Sequence, residues 1–224
     1  MDKIVDFYKA IKEVNKDFTN VNLENIPYYN KQAERTVTFL FSRLDSEGYY
    51  KSILPAIALN EFSKSYRCMV ADIQPYNPAK HISEYNIIVH EEIIKQSDML
   101  IFPFTTDNIE QAVKQIRKFN PSVKIGYQID FNYYKMLTYY PHYNKYQSNE
   151  AKLIIENNIK IVDRCFFSNE LLLEAIHDKV KPKIEGAGTE FFYQPTLITP
   201  QKWIDSIPNY KQDKEKKRIL IIAN

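Results

Sequence analysis

Glycine is scarce here, with four in 224 residues, and that scarcity excludes a good deal. No G-x-G-x-x-G follows any strand-like run, and no G-x-x-x-x-G-K-[ST] occurs, so neither a dinucleotide fingerprint nor a P-loop is present. Cysteine is almost as rare. Cys68 and Cys165 both sit in apolar runs, which predicts reduced core thiols, and they form no metal-ligand spacing. Charge of one sign is not in excess either. Thirty Lys and Arg face 28 Asp and Glu, which is no footprint for nucleic acid. No apolar run reaches the length of a membrane span, and the N-terminus lacks the apolar core of a signal peptide. The expectation is a soluble, cytoplasmic chain without metal or resident cofactor.

What the chain does have is aromatic and aliphatic mass. Seventeen tyrosines and 13 phenylalanines contribute to a 44% apolar composition, enough for one large domain with a substantial core. That mass is arranged as a repeated rhythm of strand, loop and helix. Strands are predicted over Thr36–Phe41, Tyr66–Asp72, Met99–Pro103, Val123–Asp130 and Arg164–Ser168, each a near-continuous apolar run of the kind buried in a parallel sheet. Lys183–Thr189 reads as a further strand entering a turn, and Tyr85–His90 fits strand or helix. Helices are predicted over Lys51–Ser63, with Pro55 near its first turn, from an Asp107 cap to Phe119, over Ser148–Asn158 and over Glu170–His177. The pattern predicts an α/β fold with a doubly wound, mostly parallel, Rossmann-like sheet. Residues 1–35 are expected to hold an amphipathic helix and an extension, and residues 36–209 the lobe itself. Residues 210–224, a charged run leading into Ile219–Ile222, are expected to be a linker and the first strand of a further lobe. The alternative for that last run is an edge strand of this same sheet.

Ligands of such sheets bind outside the carboxyl ends of the strands. Three segments there carry suitable side chains. Gly48 lies in the loop after the first strand, where a glycine beside a helix start lets backbone N–H groups approach an anion; the plainer reading is a turn. Asp130 ends a strand and leads into Phe131–Tyr146, rich in rings with flat apolar faces and hydroxyl tips suited to sugars. The plainer reading has Asp130 capping a helix and the rings packing the loop onto the core. Ser168 and Asn169 close the last apolar strand, and either is a natural helix cap. His81, His90, His142 and His177 are scattered and assemble no triad with any serine or cysteine.

In order and spacing, four stretches resemble the N-terminal half of a GT-B-type glycosyltransferase, similar to the large retaining class of nucleotide-sugar-dependent enzymes. They are Phe39–Phe41 with Gly48–Asn60, Tyr127–Tyr134, Val162–Leu172, and the linker into Arg218–Asn224, so the likeness spans about residues 36 to 224. The resemblance implies one of two facing lobes, with the nucleotide sugar held mainly by the other and transfer needing no metal. It implies Asp130 as the catalytic carboxylate and Gly48 facing the donor diphosphate, although this chain has Glu47 where the family often has a second glycine. It implies Tyr133, Tyr134, His142 and Ser168 around the acceptor. The partners expected are a nucleotide sugar and a glycan acceptor, for polysaccharide assembly in the cytoplasm or at the inner membrane face, with the piece inactive alone. The contrasting expectation is a self-contained flavodoxin-like module that binds a ligand or protein without catalysis.

Overall fold

The computed structural model describes residues 32–41, 48–72, 74–75, 87–88, 91–139 and 143–194. The expected N-terminal helix, the run into Asn224 and His142 lie outside those residues. In chain order the elements are β1 (Arg35–Phe41), a wide π-type turn (Tyr49–Ile53) continuing into α1 (Leu54–Phe62), β2 (Tyr66–Asp72), a short ribbon of β3 (Gln74–Pro75) and β4 (Ile87–Ile88), α2 (Glu91–Gln96), β5 (Met99–Phe102), α3 (Glu110–Phe119), β6 (Lys124–Ile129), α4 (Tyr143–Gln147), α5 (Asn149–Ile161), β7 (Arg164–Phe167), α6 (Glu170–Val180) and β8 (Glu190–Tyr193). Six strands form one sheet in the order β2-β1-β5-β6-β7-β8, and every pairing in it is parallel. The chain has an α/β, Rossmann-like fold.

The two faces of that sheet follow from period-2 alternation and from crossover handedness. From β5 to β8 the chain steps one way along the sheet, so right-handed crossovers place α3, α5 and α6 on one face; the step from β1 to β2 runs the other way and places α1 opposite. The buried side chains sort accordingly. Leu100, Phe102, Ile125, Tyr127, Ile129 and Phe167 pack with Val113 and Ile116 of α3, Ile155 and Ile159 of α5, and Ile176 of α6. Val37, Phe39, Cys68, Val70 and Ile101 pack with Ile53 and with Ala56 of α1. Both cysteines are free and buried, and burial pushes both thiols up.

Several local expectations are corrected. Asp107 does not cap α3: its amide donates to Thr105 Oγ1 at 3.0 Å, while Asn108 Oδ1 accepts from the Glu110 amide at 2.8 Å. Lys183–Thr189 is not a strand. A 3-10 turn at Lys181–Lys183 and a left-handed Gly186 (φ 83°) turn the chain, and the sixth strand begins only at Glu190. Of the ambiguous Tyr85–His90 run, the described pair Ile87–Ile88 is strand, and the six-residue α2 follows it. Ser148, expected as the first residue of a helix, is instead the cap of α5, its side chain accepting from the Ala151 amide.

The amino end of the sheet is tied by charge. Asp163 accepts from the Ile125 amide at 2.9 Å and meets Lys124 and Arg117, each at 3.3 Å. Burial alone would raise its carboxyl, but these donors outweigh that and hold it below its ordinary value.

Gly126 matters for packing rather than for backbone freedom. A Cβ built there would sit 2.7 Å from Phe166 Cε2 and 3.2 Å from Ile101 Cγ1, so Phe166 lies across the strand only because that position has no side chain. Gly126→Val should lower the unfolding free energy by about 2 kcal/mol through overpacking, despite the better strand propensity of valine. Urea denaturation checks this; an unchanged midpoint would mean that Phe166 swings aside at no cost.

Candidate functional site at the carboxyl edge of the sheet

Six parallel strands present their carboxyl ends on one edge, and the described polar contacts there converge on Asp130. This residue follows β6 directly. Its Oδ1 accepts from Lys51 Nζ at 2.6 Å, with the two side chains 18% and 19% exposed respectively. Lys51 sits in the wide turn after β1, so the pair spans the carboxyl end of β5, the strand between them. Turns of this π type recur at functional sites because they re-aim a side chain that a regular helix would carry elsewhere.

Both partners are also held through their backbones. Gln128, two residues before Asp130 on the same face of β6, donates from Nε2 to the Lys51 carbonyl at 3.0 Å. Ser168, directly after β7, donates from Oγ to the Asp130 carbonyl at 3.3 Å. At the base of the turn, buried Ser52 donates to the Leu40 carbonyl at 2.9 Å. Asp130 caps no helix: the Asx turn after it belongs to Asn132, whose Oδ1 accepts from the amides of Tyr134 and Lys135. No described group donates to Asp130 Oδ2, so the carboxylate is anchored on one oxygen with the second available to an incoming donor.

A second arrangement shapes the loop after β5. Tyr127 is buried in β6 and donates to the Thr105 carbonyl at 2.6 Å. Asn158, wholly buried on α5, donates from Nδ2 to the Asp107 carbonyl at 2.9 Å and accepts from the Ile109 amide at 3.2 Å. One strand and one helix therefore fix both ends of that loop beside the Lys51–Asp130 pair.

The expected residues divide. Asp130 and Ser168 come together, and Gly48 is buried at the opening of the turn that carries Lys51. Helix α6 takes its cap from Asn169, which accepts from the Leu172 amide at 2.8 Å, leaving the Ser168 hydroxyl to its neighbour strand. The two tyrosines placed around the acceptor go elsewhere. Tyr133 is 0% exposed, its ring part of the core, and its hydroxyl has no hydrogen-bond partner among the described residues. Tyr134 donates to Glu156 of α5, and Lys179 and Lys183 lie over its ring at 4.9 and 5.3 Å. Lys183 also reaches Glu156 at 2.5 Å. The loop's first rings thus pack onto the body of the domain because burying two large aromatic surfaces is worth more than exposing them.

No protein-family model matches this chain, and a search of curated proteins finds no match. The site has to be read from its own geometry. Lys51, Gln128, Tyr127 and Asn158 were not among the residues the sequence singled out. The one signal available beforehand was a glutamine within an otherwise apolar parallel strand, a position where a polar side chain must have a partner. Among the described residues no helix is long and apolar enough to cross a membrane.

Proposed function

We propose that this chain is the acceptor-side lobe of a GT-B-type glycosyltransferase, which moves a sugar from a nucleotide sugar to a glycan acceptor while a second lobe holds most of the donor. The observation that carries this reading is Asp130: a mostly buried carboxylate at the carboxyl end of a central parallel strand, with Oδ1 anchored by Lys51 and no donor to Oδ2 among the described residues. An acceptor hydroxyl donating to Oδ2 would be positioned and could pass its proton there as its oxygen bonds the anomeric carbon and the nucleoside diphosphate departs. Gly48, opening the turn after β1, is the residue proposed to face that diphosphate. Ser168 supports Asp130 from the neighbouring strand. The reading places the work in the cytoplasm, with peripheral contact at the inner membrane face.

One observation favours a second reading. The order β2-β1-β5-β6-β7, with β8 appended, is the flavodoxin-like order rather than the dinucleotide-fold order, and its switch point lies between β1 and β5. A self-contained binding module would place its ligand there.

Calorimetric titration of the chain with uridine diphosphate and with flavin mononucleotide separates the two. The transferase reading expects weak or no binding of either, together with sugar transfer by the full-length protein from one of a panel of nucleotide sugars. Micromolar binding of either ligand by this chain alone would favour the module.

A further inference from the structure

The face of β6, β7 and β8 on the α1 side carries a row of side chains unlike the rest of the sheet. The register sets Gln128 beside Phe166 and Phe166 beside Phe192. The two rings stack at 5.9 Å between centroids with 29° between their planes, and the Arg164 guanidinium lies 5.3 Å from the Phe192 centroid. Gly126 leaves room for Phe166 to lie down on the strand. Phe192 is 39% exposed, although parallel sheets normally cover both faces. At the inner end of this row, Gln128 is only 5% exposed. Its Nε2 is used on the Lys51 carbonyl, and nothing among the described residues donates to its Oε1. Next along the same face stands Asp130, with Oδ2 also open.

Among the described residues the only buried side-chain atom left without a partner is the Tyr133 hydroxyl, so Gln128 Oε1 is a reachable acceptor that can take an incoming donor. Two open acceptors in succession beside a partly exposed aromatic pair suit a ligand with an apolar C–H face and adjacent hydroxyl donors at its edge. A pyranose has both. A planar heteroaromatic ring would stack as well but offers fewer donors to that edge. We propose that the Phe166–Phe192 platform docks a pyranose ring of the acceptor, whose hydroxyls donate to Gln128 Oε1 and Asp130 Oδ2. That the ring belongs to an acceptor rests on the transferase reading; that a sugar docks here does not.

The test is saturation-transfer NMR on the intact chain with methyl glucopyranoside, galactopyranoside and mannopyranoside, with flavin mononucleotide as the aromatic control. One or more pyranosides should receive saturation at their ring C–H protons. Phe192→Ala should weaken that binding about tenfold, the order expected when a stacking ring is lost, and Phe192→Trp should retain it. Gln128→Leu should weaken it while leaving the chain folded. Absence of signal from every pyranoside, binding indifferent to Phe192→Ala, or preferential stacking of the flavin would each overturn the platform. In the full-length enzyme, Phe192→Ala should raise the acceptor KM with kcat little changed. Transfer with an unaltered KM would discard the platform and keep the transferase. Pyranoside binding lost in Phe192→Ala, from a full-length protein that transfers nothing, would keep the platform and discard the transferase.

Discussion

On the proposed transferase reading, Asp130→Asn is expected to cut sugar transfer by the full-length protein at least 100-fold, while the variant stays folded. General acid–base groups contribute on the order of 10² to 10⁴ in rate, and asparagine keeps the shape of the side chain while removing its ability to take a proton. The ion pair complicates any simple alanine scan. Lys51 reaches Asp130 at 2.6 Å with both side chains about four-fifths buried, so deleting one partner leaves the other charge poorly solvated. The informative set is therefore Asp130→Asn, Lys51→Met and the double variant, each measured for transfer and for unfolding midpoint. If the pair is only structural, the double variant recovers stability and activity together. If Asp130 meets the acceptor, the double variant recovers stability alone and transfer remains lost. Full transfer by Asp130→Asn would remove this residue from the site.

Some of this was legible in the amino-acid order and some was not, for identifiable reasons. β1, β2, β5, β6 and β7 are runs dominated by aliphatic and aromatic residues, and such runs announce buried parallel strands. β8 is exposed along most of its length, so its burial pattern is weak, and the apolar residues before it drew the expected strand about seven positions early. α2 covers six residues with two buried isoleucines, too short for a helical period to register. The order of the strands in the sheet is not written in their rhythm at all. It depends on which way each crossover steps, and the reversal at β1 is what creates the switch point.

The site shows the same division. Asp130 and Ser168 were found because they end strands, and the ends of strands are where parallel sheets hold ligands. Lys51 lies 79 residues from its partner, and no local pattern links the two. Tyr133 and Tyr134 are adjacent and alike in sequence. Only packing distinguishes the one that fills the core from the one clasped by Glu156 and two lysines. Phe166 falls in a run that reads as a buried strand, and Phe192 lies beyond any strand the sequence predicts. Their partial exposure depends on which face the helices cover.

Asn158 is the residue whose loss should cost the most stability among those outside the apolar core. It sits in α5 between Asn157 and Ile159, where a polar residue in a helix would ordinarily face water, yet it is 0% exposed. Its carboxamide satisfies the Ile109 amide and the Asp107 carbonyl, both belonging to the connection between β5 and α3. Alanine would strand both groups and leave a void where the amide was. Each buried, unmet backbone group costs about 1–3 kcal/mol, so Asn158→Ala should lower the unfolding free energy by about 3 kcal/mol. Its exposed neighbour is the control: Asn157→Ala should fall within about 0.5 kcal/mol of the parent. The loss should also be local before it is global. Hydrogen exchange at the Ile109 amide should accelerate under native conditions, because that N–H loses its acceptor, while amides in β1 and β2 remain as protected as overall stability allows. Since the loosened connection flanks the Lys51–Asp130 pair, ligand binding at the carboxyl edge should weaken in Asn158→Ala even at temperatures where the chain is fully folded. A variant with parental stability and unchanged exchange at Ile109 would show that Asn158 only fills space, and the loop after β5 would then need another explanation for its position.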